Sequence, residues 1–289
     1  MTKGQKLREV LSNPGILVLP GVHDCVSAKL TEKAGFKVAF TSGFGISATM
    51  LGKPDMGFLN ATEMLWSVSR IVSSVDIPVV VDIDTGYGTP LNVMRTVDEV
   101  VRIGGGGIIL EDQEWPKKCG HFDGKQVITM SEHVEKIHAA VEARGDTELV
   151  IVGRTDSRAS LGIGEAINRG RAYYEAGADI VFIEAPQSVE ELKEIAGAFD
   201  NDVPLFANMV EGGKTPFLSS KELEELGYKI VVYPLAGLFS ATKAIESCFA
   251  RLKENGTTEG YSDMSNFKDF EEVIDTAKYR ELESKFKAD

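Results

Sequence analysis

Cysteine is scarce: three in 289 residues, Cys25, Cys119 and Cys248, with no close pair among them. That spacing supplies neither a disulfide framework nor a zinc ribbon, and reduced thiols in a cytoplasmic setting are the expectation. Basic residues are outnumbered, 31 Lys and Arg against 44 Asp and Glu, for a net charge of −13. A nucleic acid or an anionic membrane would ask for a basic footprint, so neither is expected as a partner. An anionic substrate is not excluded, because a metal ion or a few local cations reverse the field where it matters. Long apolar runs are missing too. No stretch nears the ~20 residues needed to cross a bilayer. The opening Met-Thr-Lys-Gly-Gln-Lys-Leu-Arg lacks the apolar core and cleavage site of a secretory signal. Low-complexity segments are absent, and 43% hydrophobic with 26% charged residues is the balance of a globular protein.

What the chain does contain is a set of short runs rich in Val and Ile, at 16–19, 38–41, 78–83, 107–110, 149–152, 179–183, 204–207 and 229–233. Each is nearly continuous in apolar character, the pattern of parallel strands covered on both faces. Between them lie amphipathic stretches such as 62–74, 91–103, 131–143, 164–176, 188–198 and 219–226. Strand and helix in alternation predict βα units with right-handed crossovers. Eight strands favour closure, so the expected fold is α/β, a single TIM (β/α)8 barrel over 1–289. A helical extension starts at about 241, with further helix over 264–286 that packs on the barrel's outside or on a neighbouring subunit. Gly35, Gly177 and Gly227 each stand where a helix ends before a strand. The run of glycines from Gly104 to Gly107 follows a helix and opens a strand, which suits a turn and not a phosphate loop.

Barrels of this kind carry their chemistry at the C-terminal ends of the strands. Those ends read Thr41-Ser42-Gly43, Asp82 to Gly86, Glu111-Asp112-Gln113, Gly153-Arg154-Thr155-Asp156, Glu184 and Asn208. Helix capping explains Asp, Ser and Thr after a strand, but Glu and Arg are poor caps. Asp82 and Asp84 share a face if their strand stays regular. Side by side they repel unless a cation or proton lies between them. Oxygen ligands suit Mg²⁺ or Mn²⁺, with Glu111 placed to join them. The alternative is that one aspartate caps a helix and the other meets solvent. Residues 111–125 are too polar for strand or helix and read as a lid, with Gly120 and Gly124 as hinges. Within it Lys117, Lys118 and His121 flank Cys119, which favours a thiolate and an acid/base role. Cys25 and Cys248 are expected in packing, His133 and His138 on a helix surface, and His23 is unassigned.

The segment Lys117-Lys118-Cys119-Gly120-His121, preceded by Glu111-Asp112-Gln113, resembles the lyase signature of the isocitrate lyase/phosphoenolpyruvate mutase superfamily. Further similarity lies in Ser42-Gly43, Gly52 to Asp55, Asp82 to Gly88, Gly153 to Asp156, and Asn208 with Glu211-Gly212-Gly213. The resemblance implies a homotetramer of barrels that swap the eighth helix, a bound Mg²⁺ and a gating loop. It implies that Asp55, Asp82, Asp84 and Glu111 hold the metal, directly or through water. Ser42, Gly43, Phe44, Gly120, Glu184 and Asn208 would bind substrate, with Cys119, His121 and Arg154 catalytic. The implied reaction is retro-aldol cleavage of the C2–C3 bond of a 2-hydroxy dicarboxylate. Phe40, Phe44, Phe239 and the Trp115-Pro116 variant of the loop favour the branch that converts 2,3-dimethylmalate to pyruvate and propionate. The methylisocitrate-cleaving and oxaloacetate-cleaving branches are the alternatives. A Schiff-base aldolase is disfavoured because Lys37 and Lys229 lie at strand starts. A non-catalytic barrel that binds small acids is the reading from another class.

Overall fold

A computed structural model describes residues 1–199 and 203–286. Its first half runs α1 (Lys3–Ser12), β1 (Leu17–Val22), α2 (Cys25–Lys33), β2 (Ala39–Thr41), α3 (Gly43–Ile46), a π-helical turn (Ser47–Leu51), α4 (Ala61–Ser73), β3 (Val79–Asp82), α5 (Pro90–Arg102) and β4 (Gly107–Glu111). The next units are α6 (Met130–Arg144), β5 (Val150–Thr155), α7 (Arg158–Leu161), α8 (Ile163–Glu175), β6 (Ile180–Ile183) and α9 (Val189–Ala198). The chain ends with β7 (Leu205–Asn208), α10 (Ser220–Glu225), β8 (Ile230–Tyr233), α11 (Ala236–Asn255), α12 (Phe267–Val273) and α13 (Thr276–Lys285). The eight strands are parallel and close into a barrel in sequence order, β8 pairing with β1. This is a TIM barrel. No helix among the described residues is long and apolar enough to cross a membrane.

The strands are continuous apolar runs because both faces are covered, and their alternation divides the core in two. Val80 of β3, Ile109 of β4, Val152 of β5 and Phe182 of β6 point inward with Phe40 and Phe206. Their neighbours Val79, Val81, Ile108, Leu110 and Ile151 face the surrounding helices. Leu7 of α1 joins the inward cluster, so the N-terminal helix closes the bottom of the barrel. Its sequence marks it only by a Thr2–Gln5 capping box and by Leu7, Val10 and Leu11 at helical spacing. Gly4 lets it approach, since a Cβ there would lie 2.6 Å from the Glu148 carbonyl oxygen.

Two departures bear on the site. Strands run further toward the rim than their apolar runs suggest: Glu111, Arg154 and Asn208 are strand residues. Register makes Glu111 and Arg154 direct partners across β4 and β5. The eighth helix begins at Ala236, earlier than expected, and buries none of its residues in this chain.

His133 is not on the surface as its helix suggested; it is fully buried, while His138 is exposed. Its ring packs 4.4 Å from that of Tyr173, and burial pushes its pKa down to about 3. The unfolded chain, with an ordinary value of 6.5, therefore takes up a proton that the folded chain refuses. Stability from this group is complete above that ordinary value and declines as pH falls toward the folded one. Between about pH 6.5 and about pH 4.5 the loss is about 2 kcal/mol. His133→Gln is expected to flatten the pH dependence of urea-unfolding stability by that amount. An unchanged slope would contradict it.

Candidate active site

The C-terminal rim is built first by β3. Asp82 receives the backbone N–H groups of Gly43 (3.3 Å) and Asp84 (3.1 Å) on its two carboxylate oxygens. Asp84 does not continue the strand; its φ is +49°, and Gly86 N–H closes a turn onto the Ile83 carbonyl at 2.9 Å. The regular-strand assumption fails here, yet the two carboxylates still meet because Asp82 itself caps the turn. Glycine at 43 is required: a Cβ would lie 2.8 Å from Asp82 Oδ2 and 3.5 Å from Asp84 Oδ1.

A lysine fills the centre of this acidic group. Lys117 Nζ lies 2.7 Å from Asp55 Oδ1, 2.8 Å from Asp55 Oδ2 and 2.6 Å from Asp84 Oδ1. Burial works against its charge, but Asp84, Asp55 and Glu111 outweigh that and hold the ammonium well above its usual range. Conversely, burial raises the Asp55, Asp84 and Glu111 carboxyls in spite of Lys117 and Arg154. Asp55, Asp82, Asp84 and Glu111, the residues expected to hold a metal, surround this ammonium. Among the described residues no three His, Cys, Asp or Glu side chains converge closely enough to hold an ion. The residues nevertheless fit a hard divalent cation. Glu111 Oε1 is buried with no hydrogen-bond partner, and the carboxylates exceed the nearby positive charge.

Arg154 forms the opposite wall. Its Nε and Nη2 bond the two oxygens of Asp156 (2.8 and 3.1 Å), and Nη2 lies 3.3 Å from both Glu111 Oε2 and Glu184 Oε2. Against the effect of burial, Arg154 and Lys125 hold Asp156 well below the carboxylate range. Arg154 and His121 likewise bring Glu184 down to about 2. Asn208 Nδ2 bridges both Glu184 oxygens at 3.3 and 3.2 Å. Behind this wall, Asp112 accepts from Thr155 Oγ1, Asp156 N–H, Arg169 and Tyr173 at 2.7–2.9 Å.

The loop 111–125 folds over the mouth. Gln113 brackets Lys118, its amide donating to the Lys118 carbonyl and accepting from the Lys118 N–H (2.8 and 2.9 Å). Lys125 Nζ, buried, binds the Gly120 carbonyl and Asp156 Oδ1. Phe122 meets Phe44 edge-on, centroids 6.5 Å apart. Gly120 passes so near the wall that a Cβ would lie 2.6 Å from Arg154 Nη2 and from Glu184 Cγ. Cys119 is fixed by its N–H to the Asp55 carbonyl at 3.0 Å and lines the cavity. Its thiol is not the activated thiolate that flanking cations suggested. Burial pushes it up to about 11, with Asp55 and Glu184 adding to the shift. The Lys117 ammonium is held by carboxylates, and that of Lys118 turns away to the Gly124 carbonyl. At neutral pH Cys119 is a protonated thiol, suited to donate.

Ser42, Gly43, Phe44, Asp55, Asp82, Cys119, Gly120, His121, Arg154, Glu184 and Asn208 all line one cavity. Asp84 and Glu111 lie beneath it, against Lys117 and Arg154. Phe239 does not line it; Phe40, Val210, Pro234 and Leu235 make its apolar side. Sequence reasoning missed the inward turn of Lys117, and Lys125, Asp156 and the 210–214 turn. Of these, Asp156 stood at a strand end and Glu211-Gly212-Gly213 lay within the family resemblance, whereas the turn of Lys117 and the reach of Lys125 carried no signal.

A closed parallel barrel with ionised and thiol side chains gathered under a loop at its C-terminal rim defines a TIM-barrel enzyme. Residues 7–253 match the family described as phosphoenolpyruvate phosphomutase, and the chain belongs to it. It is 45% identical to 2,3-dimethylmalate lyase of Eubacterium barkeri over 289 residues, covering 99% of each chain. It is 41% identical to 2-methylisocitrate lyase of Bacillus subtilis, covering 96% of this chain and 90% of that one. Among solved structures it resembles oxaloacetate acetylhydrolase bound to 3,3-difluorooxalacetate (TM-score 0.93, 33% identity, 98% and 96% covered). It also resembles 2,3-dimethylmalate lyase (0.92, 33%, 99% and 95%), a member of the PEP mutase/isocitrate lyase superfamily. A third is phosphonopyruvate hydrolase with oxalate and Mg²⁺ (0.88, 31%, 99% of each). Family and relatives make this chain a carbon–carbon lyase.

Proposed function

We propose that the chain is a magnesium-dependent lyase that cleaves the C2–C3 bond of a 2-alkylmalate, with 2,3-dimethylmalate giving pyruvate and propionate as the best fit. One observation carries the substrate choice. The cavity has an apolar side made by Phe40, Phe44, Val210, Pro234 and Leu235, and none of its lining residues beyond β8 is a cation. Two carboxylates and two methyl groups suit those walls. The third carboxylate of 2-methylisocitrate would meet hydrocarbon, and a buried unpaired charge costs several kcal/mol, roughly. The similarity to 2,3-dimethylmalate lyase along the full chain points the same way.

Asp55, Asp82, Asp84 and Glu111 would hold the metal. When bound, a divalent cation supplies Lewis-acid stabilisation of a 2-alkoxide. The chain's own residues do the rest. Ser42, Gly43 and Gly120 border the space for the substrate's carboxylates, and Glu184 orients Asn208 and Arg154. As the C2–C3 bond breaks, its electron pair moves onto the leaving fragment as a carboxylate-stabilised carbanion. Arg154, Asn208 and His121 line the cavity where that charge develops, as fixed donors that need no reorganisation. The Cys119 thiol then delivers a proton to the carbon. In sum one proton leaves the hydroxyl oxygen and one reaches carbon.

The working form is a homotetramer in which α11 swaps between copies. Supporting this, α11 leaves Ile245, Phe249 and Leu252 exposed at 51%, 64% and 42%. A coupled pyruvate assay with Mg²⁺ over 2-methylmalate, 2,3-dimethylmalate, 2-methylisocitrate and oxaloacetate tests the reading. Highest turnover on 2,3-dimethylmalate, abolished by chelator and restored by Mg²⁺, is expected. Preference for 2-methylisocitrate, or indifference to chelator, would overturn it.

A further inference from the structure

The turn after β7 gives the pocket only the apolar side chain of Val210, yet its far end reaches the one imidazole in the site. Val210 to Gly213 form a tight turn, closed by Gly213 N–H on the Val210 carbonyl at 2.9 Å, with Gly212 at φ +72°. That turn aims the next backbone amide at His121: Lys214 N–H donates to His121 Nδ1 at 2.9 Å. The other nitrogen, Nε2, is buried and faces the pocket, with Glu184 Oε1 3.3 Å away. The Lys214 side chain points elsewhere, to Asp123.

A backbone amide can only donate. It cannot rotate, ionise or offer a lone pair, so the nitrogen it meets must be unprotonated. The hydrogen bond made by one imidazole nitrogen decides which nitrogen carries the proton. We propose that the Lys214 amide fixes His121 as the neutral imidazole with its proton on Nε2, making the 210–214 turn a positioning element for the site. His121 is then a hydrogen-bond donor to the substrate and not a proton acceptor. Taking up a second proton would set two N–H groups against each other at Nδ1. This division of labour leaves the proton transfer to carbon with Cys119. The space is tailored to it: a Cβ at Gly213 would lie 2.6 Å from His121 Nδ1 and 2.8 Å from Cε1.

The inference rests on the lyase reading only in the role it gives His121; the tautomer itself is readable without substrate. Long-range ¹H–¹⁵N correlation on the ¹⁵N-histidine-labelled full chain resolves four imidazoles, and His121→Gln assigns the signal. The expected wild-type spectrum has an unprotonated Nδ1 and a protonated Nε2 for His121. Lys214→Ala, which keeps the amide, should retain that signature. Lys214→Pro, which removes it, should shift the signature and lower kcat by about 10- to 100-fold, as loss of a partner behind a working imidazole does. Gly213→Ala, which displaces the ring, should do the same and serves if the proline variant fails to fold. A wild-type His121 protonated on Nδ1, or the unaltered signature in both Lys214→Pro and Gly213→Ala, would overturn the proposal. Absence of pyruvate release with the expected spectrum would overturn the lyase reading alone.

Discussion

Replacing Cys119 with alanine is expected to lower turnover by ~10²–10⁴-fold, the range that positioned proton transfer supplies. The fold should be unaffected, because Cys119 is held by its backbone N–H to the Asp55 carbonyl, which alanine retains. Serine should fare little better. The site needs a proton donor that stays protonated at neutral pH and still releases its proton to a carbanion. A thiol pushed up to about 11 meets both demands, whereas a serine hydroxyl is a far weaker acid. Steady-state turnover with 2,3-dimethylmalate, beside an unchanged circular dichroism spectrum, checks this. Near wild-type turnover in Cys119→Ala would remove Cys119 from the mechanism.

The second large effect is on stability as well as rate. Arg154→Met should cost about 3–5 kcal/mol in urea unfolding at neutral pH, because it leaves buried carboxylates without their guanidinium. Asp156 keeps Lys125, but Glu111 and Glu184 lose the cation 3.3 Å away. The pH dependence gives the sign. Glu184 in the folded wild type titrates at about 2, below its ordinary 4.5. Its stabilisation is therefore complete above that ordinary value and fades as pH falls toward about 2. Without Arg154 the buried carboxyls accept protons readily, so the gap between wild type and variant should narrow on acidification to about pH 4. A gap under about 1 kcal/mol, or one independent of pH, would show that the guanidinium is not compensating these groups. Turnover should fall by ~10²–10³-fold through loss of charge stabilisation.

The barrel was legible because β-branched runs buried on both faces leave a continuous signal, and each was bounded by helical spacing. Strand ends were less legible. Arg154 and Glu111 break the apolar run, yet they are last-strand partners because the rim is where polar side chains are wanted. Helix α1 carried only a weak signal, three apolar residues, Leu7, Val10 and Leu11, in an otherwise polar segment, and these do its sealing. Strand ends pointed to Ser42, Asp82, Glu111, Arg154, Glu184 and Asn208, which do gather at one rim, and the resemblance pointed to Asp55 and His121, but none of these showed its partners. Lys117 looks from its neighbours like a cation for Cys119; only the loop's path shows its ammonium descending to Asp55 and Asp84. Charges adjacent in sequence were mistaken for charges adjacent in space. The same holds for His133, polar by type and buried by position.

Cleavage of 2,3-dimethylmalate in D₂O, followed by NMR of the products, tests the central claim most directly. The expected outcome is pyruvate with no enzyme-added deuterium and propionate carrying one deuteron on its methylene carbon, delivered from the exchanged Cys119 thiol. No pyruvate, or propionate free of deuterium, would contradict it.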